Sequence, residues 1–235
     1  MRIVARIDIK NEFVIKGVHL EGLRKLGNPV NFAKNYYEKG VDEIFFNDCV
    51  ASLYGRNTIF ETIKKSVKEI FIPITLCGGI RSLKNIEEAL RIGADKIAIN
   101  TYAIENPNFI KKAVRYFGSS SIISSIEAKQ IGNDRWEIYK HNGRESAGID
   151  LIYWINKVQD MGCGEIFITS IDFEGTQKGF DINLISKIQD IIKVPFVISG
   201  GCSDINDINK IKKNFKGVDV AIASALHYKK IQKIR

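Results

Sequence analysis

Two carboxylic acids occupy matching places in the two halves of this 235-residue chain. Asp8 lies in Ile7-Asp8-Ile9-Lys10 and Glu127 in Ile126-Glu127-Ala128-Lys129, each at the end of a short apolar run. Carboxylates that share one pocket can divide acid and base work, because different surroundings set different pKa values. The competing reading is that each caps a loop or pairs with the lysine two residues on, Lys10 or Lys129. Paired glycines form a second matched set, Gly78-Gly79 and Ser199-Gly200-Gly201. Without a Cβ, such turns let backbone N–H groups approach a ligand, and phosphate is the natural guest. Asn100-Thr101 and Ala223-Ser224 fall beside these pairs, and Glu174-Gly175-Thr176 adds another glycine turn. The pattern predicts an elongated substrate with a phosphate at each end. The alternative is tight turns alone.

Eight β-branched runs must position these residues: Ile3–Ile7, Glu43–Phe46, Pro73–Leu76, Lys96–Ile99, Ile122–Ile126, Glu165–Thr169, Pro195–Ile198 and Val218–Ile222. Between them lie stretches with apolar residues at helical spacing, such as 30–37, 86–92 and 184–188. Strands alternating with helices imply parallel pairing. Both faces of each strand are then covered, so the runs are apolar nearly throughout. The halves also repeat. Gly40–Phe46 matches Gly162–Ile168, Ile72–Gly79 matches Val194–Gly201, Gly93–Asn100 matches Gly217–Ser224, and Ile7–Lys10 matches Ile126–Lys129. The chain therefore reads as one (β/α)₈ TIM barrel with internal half-barrel duplication, the halves spanning about 1–118 and 119–235. In this fold the C-terminal strand ends hold the site. The segment 11–29 is long for a βα loop and carries Lys16, His19, Arg24 and Lys25. It reads as a basic mobile lid or a small surface hairpin. The last helix, after Ser224, has room for about three turns at most.

Charge and composition narrow the class. The net charge of +8 arises from 35 basic and 27 acidic residues. The basic ones are dispersed over helix-like segments, which points to solvated faces and an anionic small molecule, not to nucleic acid. No run is long enough to span a membrane. The N-terminal residues read as a strand, not as a signal peptide. Cys49, Cys77, Cys163 and Cys202 have no metal-ligand spacing, and neither metal nor cofactor is expected. These features predict a cytoplasmic protein with reduced thiols. Arg2, Glu43, Lys96 and Glu165 begin four of the strands; they form either a salt-bridged ring on the barrel floor or a set of exposed strand starts.

Several motifs together resemble the HisF family, the cyclase subunit of imidazole glycerol phosphate synthase. They are Ala5-Arg6-Ile7-Asp8-Ile9-Lys10, Lys16-Gly17, Gly78-Gly79-Ile80, Ile99-Asn100-Thr101, Glu165-Ile166-Phe167-Ile168-Thr169-Ser170-Ile171-Asp172 and Ser199-Gly200-Gly201. The resemblance covers the chain up to His227. It implies a lyase that takes ammonia from a HisH-like glutaminase docked on the barrel floor and carries it through the barrel to a bis-phosphorylated formimino aminoimidazole ribotide. The products would be imidazole glycerol phosphate and an aminoimidazole carboxamide ribotide. By position it implies acid–base work for Asp8 and a loop-lysine role for Lys16. Gly79, Asn100 and Thr101 would form one phosphate site, and Gly175, Gly201, Ala223 and Ser224 the other, with Thr169 among the site residues. It implies an ammonia gate of Arg2, Glu43, Lys96 and Glu165, and glutaminase docking near Asp95. The chain departs from the family pattern at Glu127, where the family has Asp, at Cys77, which replaces a glycine, at Arg6, which replaces a small or neutral residue, and in its shortened last helix. A HisF-like set associated with surface-sugar amidation is also similar, through 51–57 and Ser125–Lys129; it implies ammonia delivery to a sugar amidotransferase.

Overall fold

Alternation decides which way each strand residue faces. On β1 (Ile3–Lys10), Ala5, Ile7 and Ile9 join the large apolar core between strands and helices, whereas Val4 belongs to a separate buried cluster. The structure, a computed structural model, describes residues 1–51 and 59–234, so most of the 51–57 motif lies outside the described residues. The other strands are β2 (Phe13–Val18), β3 (Glu21–Gly27), β4 (Glu43–Asp48), β5 (Ile74–Cys77), β6 (Lys96–Ile99), β7 (Ile122–Gly132), β8 (Arg135–Lys140), β9 (Glu145–Asp150), β10 (Glu165–Ser170), β11 (Phe196–Ser199) and β12 (Val218–Ile222). Parallel pairing runs β1–β4–β5–β6–β7–β10–β11–β12, and β12 pairs back onto β1. The result is a closed eight-stranded parallel barrel with helices alternating along the chain, the (β/α)₈ fold that the sequence predicts.

Local chemistry accounts for the helix starts. Asn28, Ser82, Asp150, Asp181 and Asp204 each cap a helix by accepting backbone N–H groups of its first turn, and Pro29 opens the first helix. The repeated Gly-X-Asp at strand starts has an equally local cause. Asp42 accepts the Ile3 N–H at 2.8 Å, Asp95 that of Ile74 at 2.8 Å and Asp219 that of Arg2 at 2.5 Å. Each carboxylate thus ties the beginning of its strand to a neighbouring one.

Two antiparallel hairpins depart from the simple alternation. Segment 11–29 takes the hairpin form, β2 pairing with β1 and β3. The second, β8–β9, extends β7 over the mouth and has no counterpart in the sequence expectations. The last helix is short, as expected, a single turn over Ser224–His227. Beyond it Ile231 is buried, and the Ile234 N–H reaches the Lys39 carbonyl. No described helix is long and apolar enough to cross a membrane.

Candidate active site

The barrel interior is layered. Val4, Phe45, Cys77, Ala98, Ile123, Phe167, Val197 and Ala221 form an apolar middle layer, one residue from each barrel strand. The Phe45 and Phe167 rings stack at 4.0 Å across it. Below it, Arg2, Glu43, Lys96 and Glu165 alternate in charge and close a ring. Arg2 meets Glu43 at 3.2 Å and pairs with Glu165, while Lys96 meets Glu43 at 2.8 Å and Glu165 at 2.9 Å. The ring arrangement, not the exposed strand start, is what forms. Thr75 donates to Glu43 and Asp219 holds Arg2, so most of the carboxylate capacity is satisfied.

Above the middle layer lie both acids, Asp8 at 4 % exposure and Glu127 at 7 %. Neither pairs with the lysine two residues on. Asp8 Oδ1 instead accepts from Arg6 Nε at 2.9 Å and Asn47 Nδ2 at 2.9 Å, with Lys16 Nζ 3.8 Å from its other oxygen. Burial alone would raise the Asp8 carboxyl, but the Arg6 and Lys16 charges and the Asn47 hydrogen bond outweigh it and hold the group at about 2. Glu127 has no such cation against it. Burial pushes its carboxyl up to about 7, against the opposing Gly143 N–H, which Oε2 accepts at 2.9 Å, and the Arg6 charge. Near neutral pH Asp8 is therefore ionised, whereas Glu127 is divided between its protonated and ionised forms.

Lys16 arrives from β2 fully buried and pairs with Glu174. Burial draws its ammonium down to about 8 while Asp8 pulls it back up. Three of the predicted substrate- or phosphate-binding residues also make bonds within the protein. The Glu174 carboxylate pairs with Lys16, and the residue also lines the cavity formed with Gly175, Gly200, Gly201, Ala223 and Ser224. Thr169 and Ser199 point into the upper lumen, where Arg6 Nη1 donates to their hydroxyls at 2.6 and 3.4 Å.

The remaining predicted phosphate residues fall into two groups. Gly78, Gly79, Asn100 and Thr101 line one cavity with Asn47, Glu127 and Asn142. Gly175, Gly200, Gly201, Ala223 and Ser224 line another. The glycines also answer a packing need. At Gly78 a Cβ would stand 2.5 Å from the Asp48 carbonyl oxygen, and at Gly200 2.8 Å from that of Ser170, both with φ above 100°. Tight turn and open backbone are thus one feature. Asp95 is exposed at the floor, and its side chain accepts the Ile74 N–H. No cluster of His, Cys, Asp and Glu among the described residues is arranged to hold a metal ion.

Sequence reasoning did not single out Asn47, Asn142 or Gly143, which touch the acids directly or through one another. Asn47 lies one residue past the predicted end of its strand. The other two had a signal, Asn-Gly between alternating segments, which is a strong hairpin-turn dipeptide.

A (β/α)₈ barrel whose strand ends bring together two buried acids, a buried lysine and two glycine-turned cavities defines a class of barrel enzymes that work at the C-terminal face. The model of the histidine biosynthesis protein family matches residues 2–232, and the chain belongs to that family. It is 49% identical over 209 residues to the imidazole glycerol phosphate synthase subunit HisF of Legionella pneumophila, covering 89% of this chain and 99% of that protein. The HisF subunit of Bacillus cereus (strain AH187) is 40% identical over 228 residues, 97% of this chain and 90% of its own length. That of Lactococcus lactis subsp. cremoris (strain MG1363) is 42% identical over 228 residues, 97% and 88% respectively. These relatives carry the histidine-pathway name, and none of the three is named for sugar amidation.

Proposed function

We propose that the chain is the cyclase subunit of an imidazole glycerol phosphate synthase, working with a HisH-like glutaminase in histidine biosynthesis. The observation that carries this reading is the acid pair: two buried carboxyls from matching strands of the two halves, one held low by Arg6 and Lys16 and one raised by burial to about 7, in one mouth between two glycine-turned cavities. In this reading the bis-phosphorylated ribotide lies across the mouth. One phosphate sits at Gly78, Gly79, Asn100 and Thr101, and the other at Gly175, Gly200, Gly201, Ala223 and Ser224. Asp8 removes protons as ammonia adds. Glu127 donates one as the bond to the aminoimidazole carboxamide breaks and the ring closes. Lys16 neutralises charge beside Asp8 and tethers its hairpin to Glu174.

The ionic ring at the floor is the entry for ammonia, and the face around Asp95 is where the glutaminase docks. Each half supplies one acid and one hairpin, after β1 and after β7, which supports a single unit of two half-barrels over 1–118 and 119–235. Glu127 is one methylene longer than the aspartate it replaces, but its Gly143 hydrogen bond anchors the extra length.

Assay of the purified chain with the ribotide and ammonium chloride tests this reading. The expected result is turnover that Asp8→Asn lowers by about two orders of magnitude, the scale of a lost general base. A folded wild-type chain that leaves the ribotide unchanged would refute it.

A further inference from the structure

The turn of the β8–β9 hairpin is held in an unusual shape. His141, Asn142 and Gly143 have φ of 53°, 58° and 76°, three consecutive left-handed residues, two of them not glycine. Asn-Gly favours left-handed backbone in a hairpin turn, and the surroundings hold the turn in place. The His141 N–H donates to Thr101 Oγ1 at 3.0 Å, and the Gly143 N–H to Glu127 at 2.9 Å. Arg144 Nη1 binds the His141 and Cys49 carbonyls at 3.0 and 3.3 Å. Gly143 lies so close against Leu20 of the first hairpin that a Cβ would stand 2.7 Å from its Cδ1.

The consequence is that Asn142 turns into the mouth. It is 7 % exposed and lines the cavity shared by Gly79, Asn100, Thr101 and Glu127. Its Oδ1 accepts from Asn47 Nδ2 at 3.4 Å, and that same nitrogen donates to Asp8 at 2.9 Å. This bond fixes which way the amide points and leaves Nδ2 facing away from Asn47, where it is buried with no partner. Orphaned buried donors are rare, and each calls for an explanation. In the lining of the same cavity, Asn100 Nδ2 donates to the Tyr139 carbonyl of the hairpin at 3.1 Å, and its Oδ1 is likewise buried without a partner. An unused donor and an unused acceptor in one cavity suit a hydroxyl group, which can serve both.

We propose that Asn142 is a substrate-binding residue, donating its Nδ2–H to a hydroxyl of the sugar chain between the two phosphates. The inference rests on the function proposed above and specifies how its site orients the substrate. It gives the β8–β9 hairpin a purpose: to carry one amide into the mouth beside both acids.

The test uses the full chain with the ribotide and ammonium chloride, and inorganic phosphate as a competitive probe of the phosphate cavities. Asn142→Asp keeps the shape and the bond to Asn47 but replaces the donor with an acceptor; Asn142→Ala removes both. The expected result is a 10- to 100-fold lower kcat/KM in both variants, with inhibition by phosphate within twofold of wild type in Asn142→Ala, which adds no charge to the cavity, and melting temperatures within a few degrees. Values of kcat and KM within twofold of wild type in both variants would overturn the inference. So would a loss matched by equal losses of phosphate inhibition and stability, which marks a structural role. If the wild type binds the ribotide without turnover, the proposed reaction falls while the inference stands or falls on calorimetric affinity: equal binding by Asn142→Asp overturns it. A wild type that does not bind the ribotide overturns both.

Discussion

Arg6 and Asp8 share the inward face of β1 because residues two apart on a strand point the same way. That spacing puts a guanidinium with no solvent exposure to spare, 2 % of its surface, directly beneath the carboxylate proposed as the general base. An arginine stays charged at any working pH, so its influence on Asp8 is permanent. Glu127 draws less from the same charge and is governed by burial. The pH profile of kcat/KM reports the free-enzyme acid and base. For the wild type it should fall through a midpoint near pH 7 as Glu127 loses its proton, and should level off below about pH 6 and hold that plateau to pH 5, because Asp8 remains ionised throughout. Arg6→Met removes the largest influence that lowers the Asp8 pKa, leaving Lys16 and Asn47 to oppose burial. The Asp8 pKa then rises, and an acid limb should enter the measurable range above pH 4 while the alkaline limb remains. A variant profile superimposable on the wild type between pH 4.5 and 8 would show that Arg6 does not set the state of Asp8.

At the scale of elements, the barrel strands were legible because both their faces are covered. Continuous β-branched runs then stand out, and Gly-X-Asp marks where several begin, since the aspartate caps a neighbouring strand. The paired acids and glycine turns were legible through the repeat. Partners such as Asn47 for Asp8, or Glu174 for Lys16, were not, because those contacts join residues 39 and 158 positions apart in the chain and depend on how the strands close. The first hairpin was open to two readings from length alone, and the structure shows what seats it. Gly175 has φ 77°, and a Cβ there would stand 2.2 Å from the Gly17 carbonyl oxygen and 2.9 Å from Val18 Cα. The backbone of β2 occupies the space that any side chain would need. Gly175→Ala should therefore push the hairpin off, separate Lys16 from Glu174 and open 13–27 to limited proteolysis. It should also lower kcat/KM at least tenfold, since displacement of a catalytic group by ~1 Å can cost about 100-fold in rate. Unchanged cleavage within 13–27 would show that the hairpin is seated by other contacts.

For the molecule as a whole, the lumen orders its functions along the axis: an ionic ring at the floor, an apolar layer above it, then the Arg6–Asp8 pair beneath the mouth. A neutral small molecule crosses an apolar layer far more readily than a charged one, because burying an unpaired charge is costly. Ammonia released below the floor would thus have to pass the ring unprotonated, and the ring is the one charged layer it meets before the apolar one. Lys96 is the natural place to probe this, since it bridges Glu43 and Glu165 while Arg2 contacts both from the other side. Lys96→Met keeps most of the side-chain volume and leaves the two glutamates sharing the single Arg2 guanidinium. Its cost in stability should be about 3 kcal/mol or less, below that of a fully stranded buried charge. The informative quantity is the ratio of glutamine-driven turnover, measured with a HisH-like glutaminase bound, to turnover driven by added ammonium chloride. Damage to the scaffold or the mouth lowers both rates together and leaves the ratio unchanged. A ring that governs entry must change the ratio, and a shift of threefold or more is expected. A constant ratio would confine the ring to holding the floor of the barrel together.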